Sequence, residues 1–186
     1  MKLFRKTSNG SLLSILSCLA FGFLIVSCEE GTQQTTISSP EDVNRIEFTL
    51  TETGQASYQV LHNDEIVIQP SMMSFDFKDQ ASLKDGLQIT RTSSSTKNET
   101  WEMPWGEQRE VYNHYNELLV ALEETAAPNR KINIYFRAYD DGVAFRYEFL
   151  DQTGIEEITI MDENTEFQLT GDHTAWWIPG DWDIYE

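Results

Sequence analysis

From Val43 onward the apolar positions recur at every second residue, with Ile46, Phe48 and Leu50 alternating against Arg45, Glu47 and Thr49. A period of two sends successive side chains to opposite faces of an extended chain, so this segment reads as a strand with one buried face. Thr53-Gly54 supplies a turn, residues 58–62 repeat the period, and Asn63-Asp64 supplies the next turn. Ile66-Val67-Ile68 follows as a short apolar strand that Pro70 is expected to end. The same reading predicts strands at 73–77, 87–92, 110–115, 117–123, 131–139, 143–149, 157–161 and 165–169. Short strands at this spacing predict an all-β antiparallel β-sandwich whose first three pieces form a meander.

The best-defined hairpin is 132–149. Ile132, Ile134, Phe136 and Ala138 fall on one face, Asp140-Asp141-Gly142 makes the turn, and Val143 begins the return strand. Gly142 is the residue expected to take a positive φ there. Asp140 and Asp141 are read as turn formers rather than a catalytic pair. Residues 116–126 carry Leu118, Leu119, Val120 and Leu122 in an order that fits helix and strand periods poorly, and a strand is expected. Pro104 and Gly106 mark a loop inside a stretch, 98–117, that holds Trp101, Trp105, Tyr112 and Tyr115 among amides and acids. Those residues suit a sugar-facing surface, a packed sandwich edge or a domain interface.

The N-terminus is of another kind. Lys2, Arg5 and Lys6 precede an apolar run from Leu12 to Val26 that is shorter than a membrane-spanning helix, the pattern of a bacterial secretory signal. Its end, Ile25-Val26-Ser27-Cys28, resembles the lipobox of bacterial lipoproteins, which implies lipidation at Cys28 and contact with the membrane through that anchor only. The domain plan is then a signal peptide at 1–27, a disordered polar tether at 28–42 and a sandwich at 43–186. The two acids after Cys28 resemble the surface-export signal of Bacteroidetes lipoproteins, so the expected location is the periplasm or the outer-membrane surface.

Removal of residues 1–27 takes three cations and no acids, moving the formal charge from -18 to -21. Such a surface repels nucleic acid, which excludes that class of partner. Apart from Cys28 the remaining chain has no cysteine, so disulfides play no part in it. There is no HExxH or CxxC metal spacing, no phosphate-cradling glycine loop and no GxSxG elbow. His62, His114 and His173 stand far apart in sequence.

Candidate chemistry gathers at the end of the chain, His173-Thr-Ala-Trp-Trp-Ile-Pro-Gly-Asp-Trp-Asp-Ile-Tyr-Glu186. Indole faces stack on the apolar faces of sugars, and closely spaced carboxylates suit a hard cation or hydroxyl groups. Trp176, Trp177 and Trp182 are candidate platforms, and neighbours on a strand face opposite sides, so one of Trp176 and Trp177 is expected in the core. From the residues alone Glu186 can be a solvated acid or a metal ligand.

The blocks NETWEMPWGE, YNHYNEL, FRAYDDGVAFRYEF and TEFQLTGDHTAWWIPGDWDIYE, in that order, are similar to the N-terminal domain of glycoside hydrolase family 97. The resemblance runs from about Val43 to the end. It implies a galactose-mutarotase-like supersandwich, incomplete at its C-terminus, that packs on a catalytic (β/α)8 barrel in Bacteroidetes α-glucosidases and α-galactosidases dependent on calcium. It implies that Glu186 is a calcium ligand and that the catalytic carboxylates belong to the barrel; Asp181, Asp183 and Tyr185, on the same short loop, are expected to support that ligand or to contact hydroxyls of an α-linked oligosaccharide, with Trp182 as a candidate platform for it. No catalytic residue is therefore expected in this chain, which alone should not hydrolyse glycosides. The alternatives are a stand-alone glycan-binding lipoprotein and a purely structural interaction domain.

Overall fold

The computed structural model describes residues 31–152 and 157–174. Ten strands occur in the order β1 Gln33–Ser38, β2 Asn44–Leu50, β3 Ala56–His62, β4 Glu65–Met72, β5 Phe75–Phe77, β6 Leu87–Glu102, β7 Glu110–Glu124, β8 Lys131–Tyr139, β9 Gly142–Phe149 and β10 Ile160–Glu163. Two antiparallel four-stranded meanders, β1-β2-β3-β4 and β6-β7-β8-β9, form the layers, and β5 pairs with β10 in a small third sheet. The described residues contain no helix.

Alternation builds the core. Ile46, Phe48 and Leu50 from β2 and Ala56, Tyr58 and Val60 from β3 meet Leu118, Val120, Leu122, Ile132, Ile134, Phe136 and Ala138 from the facing sheet. Phe48 packs on Phe136 at 5.8 Å between ring centroids, and Tyr58 on Phe145 at 5.5 Å. The expected inward face of the 132–149 hairpin is thus the face found inside. The hydroxyl of the buried Tyr58 donates to the Glu166 carbonyl at 2.9 Å, and burial pushes its pKa up to about 12.

Turn chemistry follows the side chains in one place and not in another. Between β3 and β4, Asn63 and Asp64 both take positive φ, 49° and 64°, as a two-residue turn matched to strand twist requires. At the β8–β9 turn neither aspartate nor Gly142 lies in the left-handed region, against the expectation for Gly142. There Asp140 Oδ1 accepts from the Glu41 amide at 2.9 Å, and Asn44 Nδ2 donates to the carbonyls of Tyr139 and Asp140, so the turn is held by the other sheet rather than by glycine. Gly54 is required for space: φ is 73°, and a Cβ there would lie 2.4 Å from the backbone nitrogen of Leu87.

Several expected boundaries are corrected. The tether expected to be disordered over 28–42 contains strand β1, whose Gln33–Ser38 pair in register with Leu50–Arg45 of β2. Pro70 does not end its strand. The β3–β4 register skips between the Tyr58–Ser71 and Val60–Ile68 pairs, and the bulge accommodates a residue that cannot donate to the ladder. The separate pieces expected at 110–115 and 117–123 are one strand, β7, and the piece expected at 87–92 runs on to Glu102. Residues 165–169 form no strand; Leu169 makes an isolated bridge to Ile68.

Candidate functional site

Strands β6 and β7 outrun the rest of their sheet. β8 accompanies β7 only as far as the Asn116–Ala138 pair, whereas β6 and β7 stay paired from Lys97–Tyr115 to Glu102–Glu110. The last six pairs make a two-stranded arm about 20 Å long at ~3.4 Å per residue. Because Leu118, Val120 and Leu122 face the core, alternation puts Asn98, Thr100, Glu102, Glu110, Tyr112 and His114 on the continuation of the inner face. Lys97, Glu99, Trp101, Val111, Asn113 and Tyr115 lie on the outer face.

A free two-stranded ribbon is marginal in water, so its root matters. Asn116 Nδ2 donates to the Ser38 carbonyl of β1 at 2.9 Å, and Asn116 Oδ1 accepts from Thr96 Oγ1 at 2.7 Å. Ile37, Ser94, Ser95, Thr96 and Asn116 line an open cleft of about 440 Å³ at this junction. On the outer face Arg137 lies over the Tyr115 ring at 4.6 Å and pairs with Glu117 at 2.6 Å.

Towards the tip the arm bears large apolar groups. Trp105 is 79% exposed and Tyr112 65%, and Trp101 and Met103 are also exposed. Tyr112 meets the His114 ring edge-on at 5.8 Å. Flat rings set among Asn98, Thr100 and two carboxylates suit the mixed apolar and hydroxyl surface of a neutral sugar. Asn113 donates to Glu99 at 2.9 Å, and that bond, with Lys97 beside it, holds the Glu99 carboxyl below its ordinary range. These aromatics are legible in the sequence, and their projection on an arm is not. The signal for it was two polar segments of similar length flanking the Pro104–Gly106 loop.

The other candidates separate. His62 is structural: Nδ1 bonds Asn44 Oδ1 at 2.8 Å and Nε2 bonds Asn63 Nδ2 at 3.0 Å. His173 is exposed. Glu186, Asp183, Tyr185, Trp182, Asp181, Trp176, Trp177 and Cys28 lie outside the described residues. Among the described residues no group of three or more His, Cys, Asp or Glu could hold a metal. A calcium ion takes six to eight oxygen ligands, so a site containing Glu186 would need further ligands from elsewhere.

The sequence profile described as Glycosyl-hydrolase 97 N-terminal matches residues 37–186. A retaining alpha-galactosidase of Bacteroides thetaiotaomicron is 26% identical over 160 residues, which is 84% of this chain and 22% of that protein. Among solved structures, a glycoside hydrolase family 97 enzyme of a Pseudoalteromonas species, seen in complex with panose and with acarbose, superposes at a TM-score of 0.72 with 33% identity, over 78% of this chain and 22% of that one. A beta-arabinopyranosidase shares the fold at a TM-score of 0.66 and 22% identity, over 74% of this chain and 21% of its own. The chain therefore spans about a fifth of the length of these relatives, and it belongs to the glycoside hydrolase family 97 N-terminal domain family.

Proposed function

We propose that the chain acts as the non-catalytic sandwich of a calcium-dependent α-glycosidase and supplies one wall of a carbohydrate site to a catalytic barrel. The observation that carries this reading is the family match over 37–186 on a sandwich fold, with relatives about four times as long. Hydrolysis requires an acid and a base or nucleophile placed across the glycosidic bond, and in this reading the barrel supplies them. Glu186 gives one carboxylate to the calcium, and Trp182, Asp183 and Tyr185 stand beside it against an α-linked oligosaccharide. Calcium would supply an oxygen-binding charge that orients substrate; this chain's part is to hold one ligand in place. The name of the Bacteroides relative and the panose and acarbose complexes support the ligand class. Secretion and lipidation at Cys28 would place the domain in the periplasm or on the outer-membrane surface.

The exposed rings of the arm favour a second reading, a glycan-binding lipoprotein acting without a barrel. Calorimetry of the purified chain with maltooligosaccharides tests it. Heat of binding that is lost in Trp105→Ala and Tyr112→Ala supports it, and absence of heat leaves the barrel-dependent reading. Assay of the chain on nitrophenyl α-glucoside and α-galactoside tests the first.

A further inference from the structure

Strand β6 is the edge of its sheet: β7 occupies one side, and no described strand occupies the other. Proteins usually blunt such edges by shortening them, bulging them, inserting proline or placing charges of one kind, lysine above all, along them. β6 has 16 residues and no proline, and its register with β7 runs unbroken from Arg91 to Glu102 after one irregularity at Ile89. In a chain of net charge -18, that stretch is also neutral, with Arg91 and Lys97 against Glu99 and Glu102. It is a stretch where two such acidic molecules can approach without local repulsion.

We propose that β6 pairs with β6 of a second copy of this chain, antiparallel about a twofold axis through Asn98. In an antiparallel pair, residues directly opposite share a face, so the axis must pass through a residue rather than between two. An axis at Lys97 sets that lysine against itself, and an axis at Glu99 does the same for the glutamate. An axis at Asn98 sets Lys97 opposite the partner's Glu99 twice, Thr96 opposite the partner's Thr100 twice, and the half-exposed Trp101 opposite the partner's Ser95. Axes at Thr96 or Thr100 leave no unlike charges opposed, and an axis at Ser95 opposes Arg91 to the partner's Glu99 only beside the irregularity at Ile89, leaving Lys97 opposite a serine. Cross-strand pairs of unlike charge and of threonines are the favourable kinds, and a closed isologous pairing of this sort uses up the open edge.

The test is register-specific cross-linking in the full chain with Cys18 and Cys28 changed to Ser. Asn98→Cys brings two sulfurs together at the axis, where opposed Cα atoms lie about 4.5–5.5 Å apart, within disulfide range. Thr92→Cys on the same exposed edge leaves them about 40 Å apart at ~3.4 Å per residue. Under mild oxidation Asn98→Cys should give a covalent dimer and Thr92→Cys about tenfold less. Mixed Thr96→Cys and Thr100→Cys chains, which face each other in this register, should cross-link as Asn98→Cys does and keep the amide intact. Adding Lys97→Glu should weaken association about tenfold, and adding Glu99→Lys as well should restore it. Variants with native circular dichroism that fail to cross-link at 98 and at 96 with 100, that cross-link equally at 92, or that ignore Lys97→Glu would overturn the proposal.

Discussion

Asn116 joins the two sheets at the base of the arm, donating to the Ser38 carbonyl at 2.9 Å while accepting from Thr96 at 2.7 Å. One amide therefore ties the first strand of one sheet to both strands of the arm, β6 and β7. Asn116→Ala removes two hydrogen bonds and leaves a partly buried carbonyl without its donor, and a loss of about 1–2 kcal/mol is expected. Hydrogen exchange in the variant should rise at β1 and at residues 94–98 before it rises at β8. Uniform loosening of the whole fold would show that the amide is not a local anchor.

Arg130 is 3% exposed and forks onto Glu124, with Nε to Oε2 at 2.8 Å and its own amide to the same oxygen at 3.0 Å, while Nη1 reaches the Ala81 carbonyl at 2.7 Å. Burial opposes the Glu124 charge, but the hydrogen bonds and charge of Arg130 outweigh it and hold the carboxyl below its ordinary value. A depressed folded pKa gives stability that is complete above the unfolded value, about 4.3, and is lost as pH falls through the folded one. Glu124→Gln should cost roughly 3 kcal/mol near neutral pH, because it strands a buried guanidinium. Denaturant melts at falling pH should show the difference from the parent shrinking; a constant difference down to acid would contradict the assignment.

For Tyr58 the sign is opposite. Its folded pKa is raised to about 12, so its contribution is present below the unfolded value near ~10 and lost as pH rises through the folded one. Tyr58→Phe removes the bond to the Glu166 carbonyl and should cost about 1 kcal/mol at pH 7. Alkaline absorbance titration should show one tyrosine fewer ionising late in the variant than in the parent. An unchanged late component would place that ionisation on another ring.

Gly54→Ala should be more damaging than its size suggests. A positive φ disfavours any side chain, and here the added carbon would meet the Leu87 backbone at 2.4 Å. A loss of at least about 2 kcal/mol is expected in thermal or chemical melts, with the turn from 51 to 54 and the strand start at Leu87 disturbed together.

Legibility in the sequence followed apolar contrast. β2, β3, β8 and β9 alternate strongly, and their inward residues were identifiable from Ile46 to Phe149. β1, with the sequence QQTTIS, offers only Ile37 to the core, so its edge pairing to β2 leaves almost no pattern. The Ser/Thr run of β6 failed to register as strand for the same reason: β7, not burial, holds it. The alternation at 165–169 identified an inward ring, since Phe167 packs against Tyr58 and Phe145, but the segment bonds residues 68–72 of β4 only through Glu166, Gln168 and the Leu169 bridge and does not become a regular strand. The terminal tryptophans and acids owed their functional meaning to the family resemblance, since two neighbouring indoles on a strand give no preference between core and ligand.

The central claim is that this chain contributes a site wall and no complete catalytic apparatus. The most direct measurement is turnover of nitrophenyl α-glucoside and α-galactoside by the purified chain in calcium, beside the same chain carrying Glu186→Gln. No turnover by either protein is expected; hydrolysis by the parent that disappears with Glu186→Gln would contradict the account.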